Sequence, residues 1–149
     1  MLDGGMWKPM ETLRIGDTVL TVEAGELLPT KVLGFLDKRI NGKHDYIKLI
    51  LDTDRSLFIS KTHVMFIQDK DNTMRSILAK DARLGDSVFI KDINKVSLAR
   101  IVDMTMERKT GAYVPLTDAG TLLVDGVLVS CYTNTPHHWF IHLLSAPLR

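Results

Sequence analysis

Short runs rich in β-branched and other apolar residues punctuate the chain at 19–22, 31–36, 46–51, 56–59, 64–67, 88–90, 99–104, 121–124 and 127–132. Runs of this length and composition, bounded by turn residues, read as strands. Between them stand Gly25-Glu26, Asn41-Gly42, Asp69 to Asn72, Thr110-Gly111, Asp118-Ala119-Gly120 and Asp125-Gly126. Asn, Asp and Gly at such points supply the positive φ that tight hairpins require. The pattern predicts an all-β domain. Helix is confined to single turns within 8–13 and 79–84 and to a short helix opened by Pro136 and running through Leu144.

The strand pattern also repeats. Arg14-Ile15-Gly16-Asp17 recurs as Arg83-Leu84-Gly85-Asp86, with Val19 opposite Val88 and Leu20 opposite Phe89. The match runs on without a gap, setting Val32, Leu33, Phe35 and Arg39 against Ile101, Val102, Met104 and Arg108. A small register change then sets Leu57-Phe58-Ile59 against Leu122-Leu123-Val124. Two copies, approximately 8–69 and 77–134, thus fill a single domain of residues 1–149. The physical reading is a duplicated β unit whose halves bury their apolar faces against each other and trade long strands across a pseudo-twofold axis.

Composition narrows the function classes. Against 18 Asp+Glu stand 19 Lys+Arg, so no global basic field exists to hold a phosphate backbone, and nucleic acid is not an expected partner. No apolar run approaches the roughly 18 residues of a spanning helix. The opening Met1-Leu2-Asp3-Gly4-Gly5 has neither the basic flank nor the apolar core of a signal peptide, so the domain is read as cytosolic or as lacking its beginning. A lone Cys131 makes no internal disulfide and holds no zinc by itself. No cofactor is expected, and the domain is expected to be a monomer.

Chemistry gathers at a few positions. Ser60 precedes His63 by three residues at a strand end, where both side chains can face one cavity. An imidazole there is able to protonate a leaving amide nitrogen and a hydroxyl to hydrogen-bond the same peptide; the plainer reading is a histidine packed at a turn. Cys131, in the last predicted strand, is either a small buried hydrophobe or a reactive thiol. Asp37 ends the run 32–36 and is either a solvated acid in a loose ion pair or a carboxylate that takes a proton from an incoming nucleophile. His137, His138 and His142 cluster near the end, but no third ligand type or neighbouring Glu base accompanies them, so no metal site is assigned and a sheet-capping role is the expected one.

Taken in order, a duplicated β domain, an acid at a strand end, Ser-x-x-His at the next turn and Val129-Ser130-Cys131-Tyr132 followed by His137-His138-Trp139 resemble the Hint-type autoprocessing module of hedgehog and related hog proteins. The resemblance covers essentially the whole chain, from Leu2-Asp3-Gly4-Gly5 to Ala146-Pro147-Leu148-Arg149. It implies the intertwined Hint fold and an intramolecular acyl transfer. A cysteine thiol attacks the preceding peptide carbonyl, and a second nucleophile, cholesterol in hedgehog itself, releases the upstream segment from the thioester. By the same resemblance His63 corresponds to the histidine assisting the N-to-S shift, and Ser60 stands where the family normally has Thr. Asp37 corresponds to the acid that activates the sterol hydroxyl, and Cys131 to a second cysteine able to pair with the nucleophile. The implied partners are the upstream segment in cis and a sterol or other lipid acceptor, and the implied location is the secretory pathway or extracellular space.

One departure stands out. The family module opens with Cys-Phe about a dozen residues ahead of the stretch that starts here, whereas this sequence opens at Met1 and carries only Cys131. The expectation is that Met1 is an internal methionine of a longer protein or that the gene model is incomplete, and that the module as given is inactive. The downstream sterol-recognition region is likewise expected beyond Arg149. Three other readings remain: an intein, disfavoured because inteins close with His-Asn; a degenerate module that only binds a partner; and a zinc hydrolase.

Overall fold

Alternation of buried and partly exposed positions marks the strands that line the core. It is visible in Ser56–Ile59, in His63–Gln68 and in Ser87–Asp92, as expected where one face of a strand packs inward. In the computed structural model, which describes residues 7–133, nine strands are joined entirely by antiparallel pairing. They are β1 (Thr18–Glu23), β2 (Glu26–Leu51), β3 (Ser56–Ile59), β4 (His63–Gln68), β5 (Met74–Leu78), β6 (Ser87–Asp92), β7 (Lys95–Thr117), β8 (Thr121–Val124) and β9 (Val127–Thr133). Their order across the sheet is β1-β2-β7-β6-β4-β9-β8, with β3 on β2 and β5 on β4. Among the described residues helix is limited to 3-10 turns at Met10–Thr12 and Ala79–Asp81, inside the two places where single turns are expected. The expected helix from Pro136 to Leu144 lies outside the described residues.

The main correction concerns Asn41-Gly42 and Thr110-Gly111. Neither is a hairpin: both lie inside the long strands β2 and β7, which pair with each other from Val32↔Thr117 to Leu51↔Ile101. The runs 31–36 and 46–51 are therefore parts of one strand. The positive φ that these glycines advertise is used differently. Gly42 and Gly111, at φ +91° and +88°, flank a register break in which residues 40–42 lie between the Arg39↔Ala112 and Lys43↔Thr110 pairs, opposite Gly111 alone. Such a bulge bends and twists a ribbon without ending it. Strand β5 is absent from the expected set because Met74-Arg75-Ser76-Ile77-Leu78 places exposed and polar residues on a strand paired only to β4.

The repeat has matching backbone bonds in both halves. Gly16 N donates to Val32 O and Gly85 N to Ile101 O, each at 2.8 Å. Asp17 and Asp86 each accept from a backbone N–H three residues earlier, Arg14 N at 2.9 Å and Arg83 N at 2.8 Å. In the first half Lys8 also pairs with Asp17 at 2.7 Å, and with the Arg14 N–H this holds the partly buried Asp17 carboxyl below its ordinary range. The main core combines both halves, with Val32, Leu49, Leu57, Met65, Val88 and Ile101 buried in one cluster. A smaller cluster joins Leu20 and Val22 to Leu123 and Leu128. Each large side chain so buried contributes about 1.5–3 kcal/mol.

Candidate active site

His63 begins β4 just after a turn closed by His63 N donating to Ser60 O at 3.1 Å. Across from it β9 breaks register, for His63 pairs with Thr133 but Met65 with Val129, so residues 130–132 face Val64 alone. That irregularity re-aims the strand, as bulges beside sites do, and brings the Ser130 carbonyl to 2.6 Å from His63 Nε2. A carbonyl only accepts, so Nε2 carries the proton. Burial lowers the pKa of His63, with the Ser130 bond opposing in part. The resident species is therefore a neutral imidazole. Its Nδ1 keeps a lone pair and makes no hydrogen bond among the described residues.

Asp37, Ser60, His63 and Cys131 all line one cavity of about 380 Å³. Two walls supply them. The β2–β7 ribbon gives Asp37, with His44, Tyr46 and Tyr113; the β3–β4 turn and β9 give Ser60, His63, Ser130 and Cys131. Leu57, Ile59, Leu122 and Val129 make part of the lining apolar.

Asp37 follows a bulge at Leu36, since Phe35 pairs with Pro115 and Asp37 with Val114. Its side chain is 42% exposed and meets Arg39 Nε at 3.3 Å, which leaves the carboxylate reachable from solvent. Cys131 is fully buried, and its Sγ lies 3.4 Å from both the backbone N–H and the hydroxyl oxygen of Thr117. The thiol thus lies in the cavity wall while packed like a core residue. Expected at 137, 138 and 142, the histidine cluster lies outside the described residues.

The ribbon adds groups that the pattern of the sequence does not single out. Tyr46 donates its hydroxyl to Gly111 O at 2.6 Å. Burial, then the charge of Asp37, then Tyr113 raise its pKa, so the phenol keeps its proton. His44 Nε2 is buried without a hydrogen-bond partner. The expected hairpin at Asn41-Gly42 would remove the β2–β7 pairing that brings Tyr46 to Gly111.

The sequence model of the family described as the Hint module matches residues 1–149. The chain is 33% identical over 156 residues to the Sonic hedgehog protein of Xenopus laevis, a match covering 100% of this chain and 35% of that protein. To Warthog protein 1 of Caenorhabditis elegans it is 31% identical, over 93% of this chain and 30% of that protein. It thus spans about a third of the length of these relatives. Among solved structures it is similar to the Ssp DnaB mini-intein variant M86, with a TM-score of 0.69 at 11% identity over 87% of this chain and 86% of that one. A KlbA intein precursor from Methanococcus jannaschii matches with a TM-score of 0.65 at 19% identity, over 80% of this chain and 66% of that chain.

Proposed function

The chain belongs to the Hint family, and from that membership we propose that it carries out an intramolecular acyl transfer as the autoprocessing domain of a hedgehog-like precursor. The observation that carries this reading is the neutral His63, fixed through Nε2 to the Ser130 carbonyl and presenting Nδ1.

In the first step a thiol attacks the carbonyl of the peptide bond preceding it. A C–S bond forms and the C–N bond breaks; His63 Nδ1 takes the thiol proton and returns it to the departing amine, leaving a thioester. Ser60, in the place of the family's Thr, is the hydroxyl that orients the strained peptide. In the second step an acceptor hydroxyl attacks the thioester. A C–O bond forms, the C–S bond breaks with departure of thiolate, and Asp37 takes the acceptor's proton. The half-exposed setting of Asp37 supports that role. Cys131 is buried and is not the attacking thiol, which in this reading belongs to the Cys-led start of the family's module. Cys131 serves as the second cysteine that pairs with that thiol during maturation. The upstream segment is the partner in cis, a sterol or another nucleophile is the acceptor, and the secretory pathway is the setting.

The test places a family-type Cys-led segment ahead of residue 1, behind a reporter ending in Gly. Added thiol releases the reporter, and His63→Ala slows release by about 100-fold or more. A second reading, a Hint module that only binds a partner, draws on the same burial of the sole cysteine. A graft that folds yet never releases the reporter favours it.

A further inference from the structure

Asp37, the proton acceptor of the second step, stands on an irregular stretch of β2. Its own ties are weak. Register breaks occur on both sides, at Phe35/Asp37 and at Arg39/Lys43, and its side chain meets only an exposed Arg39 at 3.3 Å. The ladder holds this stretch of β2 through a run of only three pairs, Asp37↔Val114 to Arg39↔Ala112, against eight consecutive pairs from Lys43↔Thr110 to Ile50↔Asp103.

One bond does cross the gap. Tyr46 Oη–H donates to Gly111 O at 2.6 Å, linking two residues 65 positions apart at the point where the register is broken. The acceptor is itself confined. Gly111 has φ +88°, and a Cβ added there would lie 3.0 Å from Tyr113 Cε2 and 3.3 Å from Arg39 O. Tyr46, Gly111, Tyr113 and Arg39 thus close around one point of the ribbon, two residues from Asp37 along the chain. Tyr46, Tyr113 and Asp37 all line the same cavity.

We propose that Tyr46 is a positioning residue for the acceptor step: its bond to Gly111 O clamps β2 to β7 and so holds Asp37 in the wall of the cavity. The clamp rests on the acyl-transfer reading for its purpose, but its physical existence does not. Because the bonded hydroxyl is committed to Gly111 O, Tyr46 itself moves no proton. Its removal weakens the second step, which uses Asp37 on the β2–β7 ribbon, and spares the first, which uses His63 on β4.

Tyr46→Phe tests this by deleting one oxygen and keeping the ring. In the chain as it stands, amide hydrogen exchange across residues 37–46 and 107–113 is expected to quicken by about fivefold or more, the loss of one ordinary hydrogen bond, while residues 56–68 and 121–133 are unchanged. In the grafted fusion, release by glycerol, a hydroxyl acceptor that needs no sterol-recognition region, is expected to slow by about five- to tenfold, while release by dithiothreitol stays within about twofold of the parent. Unchanged exchange overturns the clamp whether or not the fusion reacts. Altered exchange with both releases slowed equally, or neither slowed, overturns the link to Asp37. A parent fusion that never reacts with thiol overturns both the acyl-transfer reading and the acceptor-step purpose, leaving the exchange result to judge the clamp alone.

Discussion

His63 shows how one backbone contact sets the state of a side chain. The Ser130 carbonyl fixes the proton on Nε2, and burial disfavours adding a second. The folded pKa therefore lies below that of the unfolded chain, which binds the extra proton first as pH falls. Stability is full above the unfolded value of about 6.5 and is lost progressively as pH drops through the folded pKa. Urea midpoints measured at about pH 7.5 and pH 5 should fall toward acid, and less so in His63→Gln. At this scale the sequence is informative where neighbours in the chain are neighbours in space. Ser60 and His63 are linked by a turn of four residues, and their spacing reveals them. Tyr46 is invisible in the sequence because its partner lies 65 residues away, across a pairing that a hairpin at Asn41-Gly42 would abolish.

Among the elements, the same glycine signal carries two meanings. Asp125-Gly126, at φ +51° and +78°, closes the two-residue β8–β9 hairpin between Val124 and Val127, as its composition indicates. Gly42 and Gly111 have equally positive φ but sit within β2 and β7, because each flanking run finds its partner in the other half of the molecule. Local composition fixes the dihedral and leaves the partner open, which is why short strands are legible and the long ribbon is not. The surroundings of each glycine also set the cost of replacing it. Gly16, at φ +91°, has open space where a Cβ would stand, so Gly16→Ala costs backbone strain alone, about 1–2 kcal/mol. Gly111→Ala adds contact with Tyr113 and Arg39 to the same strain and should lower the thermal midpoint further. A pair of thermal melts decides the order; equal losses would mean that Tyr113 swings away.

For the whole molecule, the ribbon makes the halves interdependent. Val32 and Leu49 of β2 share one core with Val88 and Ile101 from the second half, and β2 finds its long partner only in β7. A fragment ending at residue 69 leaves that edge unpaired and that core open. It is expected to show no cooperative unfolding, whereas the chain unfolds in a single transition by calorimetry. The same ribbon also speaks of ancestry. Each long strand pairs with the equivalent strand of the other repeat, which is the contact that two identical chains make when they exchange an arm in a symmetric dimer. Joining such a dimer head to tail converts an intermolecular seam into an internal one and frees the two copies to diverge. At the repeat offsets that set Arg14 against Arg83 and Leu57 against Leu122, the equivalents of Asp37 and His63 are Met106 and Leu128, so the cavity on the side of Asp37 and His63 has no chemical twin across the pseudo-twofold axis.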